Sequence, residues 1–345
     1  MTARAYDDQI AAIPATVADM LAATGAAEGD FGLDPERPLV FTGIGTSLHA
    51  ARVAADWVCR LSGGRRRAFA ADAHDVGTGA WPLAAGDQLV AISHRGTKIF
   101  PTAAQKAARA AGAARIVAVV GQAAPAQAAD LVIRTCRDET ARTFSVSYLA
   151  SLAALARIAA AYVPESSAPF SAALDGLPDQ LAKALEMPLD RDLVRGLGRS
   201  RTILITGFAD DLPTAQEAAL KIKEGAWLWT EAMPPEFALH GTPAGYVPEM
   251  SAIVMLPAAD DGGRSRELCR VLSALGLAPV VSCGDAEAGA DIAFPVPGHP
   301  LLRPFLAILP FHRLTSALAA ELGTDPDSLH GGREPWAQVM TGLKL

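Results

Sequence analysis

The chain has 345 residues, 50% of them hydrophobic and 19% charged, with a formal net charge of −7. At about 100–200 residues per domain that length gives two domains, each able to bury a core, and the apolar share excludes a disordered chain. No apolar run reaches the about 18–20 residues of a membrane-spanning helix, and residues Met1 to Asp8 hold no apolar leader segment, so neither a membrane nor a secretory signal is expected. The acidic balance and 6% aromatic share give nucleic acid little to hold. Four scattered cysteines, Cys59, Cys136, Cys269 and Cys283, form no CxxC pair, which reads as a reduced, cytoplasmic protein without a cysteine metal site. A soluble enzyme or small-molecule binder remains.

In chain order, the spacing predicts a helix over Gln9 to Thr24, then a short apolar strand, Leu39-Val40-Phe41-Thr42-Gly43, leading into an alanine-rich helical stretch. The same arrangement returns at Ile203-Leu204-Ile205-Thr206-Gly207, displaced by 164 residues. Further strands keep this order: Gln88 to Ser93 matches Ala252 to Pro257, Arg115 to Gly121 matches Ala278 to Gly284, and Ala129 to Ile133 matches Ala290 to Phe294, at a displacement that drifts only to 161. The chain therefore reads as a duplicated domain. Strands of four to seven residues alternate with helical segments such as Pro101 to Gly112, which predicts a parallel sheet with helices on both faces. The expected division is a first domain over 1–165, a linker over 166–192 and a second domain over 193–345. The linker is marked by Pro164, Pro169, Pro178 and Pro188 and encloses one short helix, Leu177 to Met187.

Ligands of such sheets bind beyond the carboxyl ends of the strands, where the strand order reverses. After the first strand comes Gly43-Ile44-Gly45-Thr46-Ser47-Leu48; Leu48 stands where a dinucleotide fingerprint needs its third glycine, and no P-loop occurs. Gly45, Thr46 and Ser47 suit an anion at a helix N-terminus, or Thr46 and Ser47 cap the helix. The next loop, Ser93-His94-Arg95-Gly96-Thr97-Lys98, brings hydroxyls and two cations to a strand-to-helix turn, which suits a phosphate-like anion better than a solvated basic turn. The second copy has Pro257-Ala258-Ala259-Asp260 there, so the two copies have diverged in role. Its helix, Thr214 to Trp229, places Glu217, Lys221 and Glu224 on one face. A surface ion-pair ladder worth about 0.3–0.5 kcal/mol per pair is the structural alternative; beside Trp227 and Trp229, a carboxylate in apolar surroundings trades protons near neutrality. Glu231, Glu236 and the loop residue His240 follow. The seven histidines show no HxxxH or HExxH spacing, so neither a metal nor another cofactor is expected, and His74, His299, His312 and His330 read as structural or surface residues.

Taken together these residues resemble the sugar isomerase (SIS) domain family, and in particular the tandem-SIS isomerase half of glucosamine-6-phosphate synthase. The likeness rests on Gly45-Thr46-Ser47, on Ser93 and Gly96 of the phosphate loop, on the Glu217 to Glu224 block and on a following His-Gly turn at His240, and it spans about Tyr6 to Asp327. It implies two tandem SIS domains, each a parallel sheet flanked by helices on both faces in a flavodoxin-like sandwich. It implies aldose–ketose isomerisation of a sugar phosphate, with Glu224 as the proton-shuttling base, His240 as the ring-opening residue supplied by the neighbouring copy of a homodimer, and Glu217 and Lys221 as polar supports. Three departures stand out. No N-terminal cysteine nucleophile begins the chain, so glutamine cleavage is not expected. His94, Arg95 and Lys98 replace the amide and hydroxyls of the phosphate loop, so charge grips the anion, which can be a phosphate or a sulfonate. Gln338 stands where the family's tail carries its active-site lysine. Two other readings keep the fold: a deaminase or deglycase that releases an amine, and a non-catalytic sugar-phosphate-binding regulator, which has no need of the Glu217/Lys221/Glu224 face.

Overall fold

The computed structural model describes residues 4–25, 31–328, 330 and 333–343. Met1 to Ala3, part of the N-terminal stretch read for a leader, lie outside them. The elements run α1 (Ala5–Gly25), β1 (Leu39–Gly43), α2 (Thr46–Leu61), β2 (Ala68–Asp72), α3 (Ala73–Thr78), β3 (Gln88–Ile92), α4 (Ile99–Ala111), β4 (Arg115–Val120), β5 (Leu131–Arg134) and α5 (Val146–Tyr162). Three helices, α6 (Ala168–Leu174), α7 (Leu177–Glu186) and α8 (Arg191–Gly198), precede β6 (Thr202–Thr206), α9 (Asp211–Ala226), β7 (Thr230–Met233), α10 (Pro235–Leu239), β8 (Met250–Met255), α11 (Arg264–Ala274), β9 (Val280–Asp285) and β10 (Ile292–Phe294). The helices α12 (Arg303–Ala307), α13 (Leu309–Leu322) and α14 (Trp336–Gly342) follow.

Two parallel five-stranded sheets result, ordered β2-β1-β3-β4-β5 and β7-β6-β8-β9-β10. The second order is the first with every strand advanced by five, so the duplication read in the sequence is a duplication of topology. Both have the flavodoxin-like order, with the reversal point between β1 and β3 in one sheet and between β6 and β8 in the other. The repeat comparison missed β2 and β7: Phe69 is exposed in β2 and Glu231 in β7, so neither reads as a buried apolar run.

By contacts the chain divides into two compact units that are not single stretches of sequence: Ala12–Glu139, Phe144–Pro178 and Gln338–Leu345 form one, and Met1–Ala11, Thr140–Thr143 and Asp179–Ala337 form the other. This differs from cuts at 165 and 193. The expected linker is largely helical, because Pro169 and Pro178 sit in the first turns of α6 and α7, where a missing N–H costs nothing. Phe170, Leu174, Leu177, Leu181 and Ala184 are buried there.

The first unit's core lies around the central strands, with Val40, Leu89, Ala91 and Ile116 packed on Val76, Ala104 and Ala108, and α5 is buried on nearly all sides. The second packs Leu204, Ala252 and Val254 on Ala238, Leu268 and Leu272. The apolar stretch Pro300–Leu322 is long enough to cross a membrane by length and composition, an exception to the sequence reading, but 67% of its most apolar window is buried inside the protein.

One steric constraint repeats in both copies. A Cβ on Gly43 would lie 2.5 Å from the Ser47 Cβ, and one on Gly207 2.4 Å from the Asp211 carbonyl oxygen. The strand-end glycine thus lets the following helix turn back against the strand. Gly43→Ala and Gly207→Ala are each expected to destabilise the chain by about 1–3 kcal/mol, read as a lower urea midpoint. Gly245→Ala, where an added Cβ meets nothing within 4 Å, is the control. Midpoints equal to the control's would contradict this close approach.

Candidate active site

The first unit carries the two loops read as an anion cradle, and they leave the neighbouring strands β1 and β3. Gly45, with φ 56° and ψ −124°, is the N-cap of α2. Thr46 and Ser47 are therefore the first two helical residues, half-buried. In the second loop, the Ser93 N–H donates to the Val119 carbonyl at 3.0 Å and the His94 carbonyl accepts from the Gly121 N–H at 2.7 Å, which ties the loop to β4. Gly96 has φ 63°, and a Cβ there would stand 2.8 Å from the Ala124 Cβ, so this turn also requires glycine. Lys98 is the N-cap of α4 and makes no side-chain cap bond, while Thr97 is exposed. The first turn of α4 thus begins beside a cationic side chain that makes no cap bond.

Phe144 organises the two polar side chains of this loop. The Arg95 guanidinium lies 5.4 Å from its ring centroid and the His94 ring meets it edge-on at 5.6 Å. Burial pushes the His94 pKa down, against the pull of Glu139 and Asp138, so the imidazole is neutral near pH 7. Neither of its ring nitrogens has a hydrogen-bond partner among the described residues. Glu139 was not singled out from the sequence. It is buried and accepts from the N–H groups of Ser145, Val146 and Ser147 at 2.8, 3.2 and 2.8 Å, so it fills the N-terminus of α5. Its place well before the helix matches no capping-box spacing, which is why the pattern hid it.

The second unit carries the acid–base face on α9. Lys221 Nζ lies 3.5 Å from Glu217 Oε1 and 2.5 Å from Glu224 Oε2, with side-chain exposures of 1% for Lys221, 0% for Glu217 and 25% for Glu224. This is not a surface ladder. One buried ammonium stands between a sealed carboxylate and one that solvent or a ligand can reach. The helix lies three residues earlier than expected: it runs Asp211–Ala226, Trp227 turns left-handed with φ 56°, and Trp229 is exposed under Lys223. Trp227 stacks on His330 at 3.9 Å, and His330 on Trp336 at 4.3 Å, with the Arg333 guanidinium 4.9 Å from the Trp227 centroid. His330, read as a structural or surface residue, joins an aromatic stack at the end of α9.

His312 is also no surface residue. It is fully buried on α13, its Nδ1 hydrogen-bonded to the Tyr6 hydroxyl at 2.9 Å, and it feels the charges of both Glu217 and Lys221. No sequence motif links α1 to α13, so only the fold could reveal the pair. By contrast His240 is 77% exposed, and its one side-chain partner among the described residues is Glu236, 2.9 Å away, whose carboxylate is held low chiefly by its hydrogen bond to Arg264. The structure does not bring His240 to Glu224 within one chain. Gln338 is exposed on α14 and belongs by contacts to the unit of the anion loops.

Burial pushes the His312 pKa down to about 3 from 6.5. The native state therefore binds fewer protons than the unfolded chain between these values. The stability this neutral ring permits is fully present above about pH 6.5 and is lost, at up to about 1.4 kcal/mol per pH unit, as the pH falls toward 3. Between pH 7.5 and pH 5.0 the wild type is expected to lose about 2 kcal/mol from this source in urea denaturation. His312→Gln should lose correspondingly less over the same interval; equal losses would contradict the assignment.

No family model matches the chain. A glutamine–fructose-6-phosphate aminotransferase (isomerizing) of Pyrobaculum aerophilum is 29% identical over 256 residues, which are 70% of this chain and 42% of that relative. The chain thus matches less than half the length of that relative. The C-terminal domain of glucosamine-fructose-6-phosphate aminotransferase from Francisella tularensis has the same fold, with a TM-score of 0.83 at 18% identity over 94% of this chain and 98% of that one. A glucosamine-6-phosphate deaminase of Thermotoga maritima superposes with a TM-score of 0.73 at 20% identity, over 94% of this chain and 96% of that one. In sequence and in fold, the chain resembles the tandem sugar isomerase (SIS) domains that form the isomerase half of glucosamine-6-phosphate synthase.

Proposed function

We propose that the chain interconverts the aldose and ketose forms of an anionic sugar, a hexose 6-phosphate or its amino derivative, through an enediol. The observation that carries this reading is the α9 triad, in which buried Lys221 bridges sealed Glu217 and accessible Glu224. Glu224 takes the proton from the carbon next to the carbonyl, the electron pair moves into the C1–C2 bond, the hydroxyl proton passes between the C1 and C2 oxygens by way of solvent, and the same carboxyl returns the carbon proton to the other carbon. No proton is consumed overall. Lys221 offers its positive charge to the oxygen that becomes negative in the enediolate, and Glu217 holds that ammonium in place.

Thr46, Ser47, Ser93, His94, Gly96 and Thr97 supply hydroxyls and backbone groups for the anion, with Arg95 and Lys98 as its cations; Gln338 takes the place of the family's tail lysine. His240 opens the sugar ring. Its exposed position and its pairing with Glu236 support delivery from a second copy of the chain, so the working form is a homodimer. The likeness to the Thermotoga deaminase supports a second reading, in which the same proton step precedes release of an amine from an amino sugar phosphate.

Glu224→Gln keeps the shape of the side chain and removes its basicity. Turnover of the sugar phosphate used by the wild type is expected to fall at least about 100-fold, with fructose 6-phosphate binding, by calorimetry, within about threefold of the wild type. Joint loss of binding and turnover would assign Glu224 a structural role and overturn the proposal.

A further inference from the structure

The second sheet has its own cleft beyond the carboxyl ends of β8, β9 and β10, about 510 Å³ in volume, a size suited to a small ligand. It is the counterpart, in the second copy, of the anion loop after β3. Its electrostatics are inverted. In the first copy α4 begins at Lys98 without a side-chain cap, next to Arg95. In the second, the Asp261 carboxylate accepts from the Ser265 N–H at 2.8 Å and from the Gly263 N–H at 3.0 Å, so the N-terminus of α11 is already occupied by the chain's own anion.

The one buried cation of the cleft is likewise taken. Arg303 forks onto buried Asp211 at 2.7 and 3.1 Å, reaches Asp285 at 3.0 Å and donates to the Leu256 carbonyl at 2.6 Å. Two carboxylates against one guanidinium leave this floor negative. Burial pushes the Asp211 carboxyl up to about 6, against the pull of Arg303, so above pH 7 it is ionised. At the rim, Asp260 and Glu287 have no ion-pair partner among the described residues, and Arg266 turns to the Ala288 carbonyl. Ser265 also lines the cleft: it is 1% exposed, and its hydroxyl has no hydrogen-bond partner among the described residues. A buried unpaired hydroxyl costs free energy that a donor entering the cleft would recover. Among the described residues, no three His, Cys, Asp or Glu side chains converge to hold a metal ion. Between the acids the wall is apolar, from Pro257, Ala258, Val296 and Pro297.

We propose that this cleft binds a small organic amine, whose ammonium group is held by Asp285 and the rim acids and accepted by the Ser265 hydroxyl, with its carbon chain against the apolar wall. The duplicated domain thus holds an anion in one copy and a cation in the other. The proposal is independent of the isomerase reading, because its test uses no activity.

Titration calorimetry of the full chain at pH 8 and low salt, with putrescine as the probe, is the test. Saturable 1:1 binding is expected for putrescine and none for 1,4-butanediol, which has the same length without the charge. Asp260→Asn combined with Glu287→Gln, both at exposed positions, should weaken putrescine about tenfold, and Ser265→Ala about two- to tenfold. Putrescine binding that does not saturate, is matched by butanediol, or is unchanged in both variants would overturn the proposal.

Discussion

The site depends on one buried ammonium. Lys221 is sealed from water, and Glu217 and Glu224 stand beside its charge and balance it. Removing Lys221 would take the ammonium from the sealed Glu217 carboxylate, a loss of about 3–5 kcal/mol, whereas Glu224→Gln leaves Lys221 still beside Glu217. That constraint reaches outward along α9. A Cβ on Gly225 would lie 2.5 Å from the Thr315 Cγ2, so the helix packs closely on α13, whose His312 is held by Tyr6 from the start of α1. The N-terminal residues belong by contacts to the second unit for this reason, although they precede the first sheet in sequence. Charge and packing meet in the same helix: the face that shields Lys221 also leaves Glu224 as its accessible carboxylate.

Duplication supplied two equal frames, and charge made them different. Both copies keep the strand-end glycine, Gly43 or Gly207, that folds the next helix back on the sheet. Both keep the same strand order and the same reversal point. They differ in what meets the helix that follows the third strand. Lys98 stands at the start of α4 and makes no side-chain cap bond, whereas Asp261 closes the start of α11 with a carboxylate. The same backbone frame thus carries opposite charges at the matching loop ends.

The repeat, the parallel sheets and the shared face of Glu217, Lys221 and Glu224 were legible in the sequence, because each follows a regular pattern: short apolar runs for the strands, a period of 3.6 for the helices, about 164 residues for the copies. Burial of that face was not legible, since spacing alone does not separate a sealed ion-pair cluster from a solvated ladder. The linker misled for a definite reason. Proline marks a break in sequence, yet Pro169 and Pro178 stand in first turns, where the helix accepts them. Glu139, His312 and the stack of Trp227 on His330 and Trp336 depend on contacts between segments far apart in the chain, and no local pattern announces them. The tie of His240 to Glu236 is local, from the C-cap of α10 back to its first turn, and only the structure shows which of its neighbours the exposed imidazole meets.

The central claim is that α9 carries proton transfer at a sugar carbon. Proton NMR in D2O tests it most directly, with the wild-type chain and fructose 6-phosphate, glucosamine 6-phosphate, a fructosamine 6-phosphate and a 6-sulfo sugar in turn. The account predicts deuterium at C1 or C2 of at least one of them, the fastest naming the anion, with amine release beside it marking the deaminase variant. Binding shifts without deuterium entry into any of the four would contradict it and leave a sugar-phosphate-binding regulator.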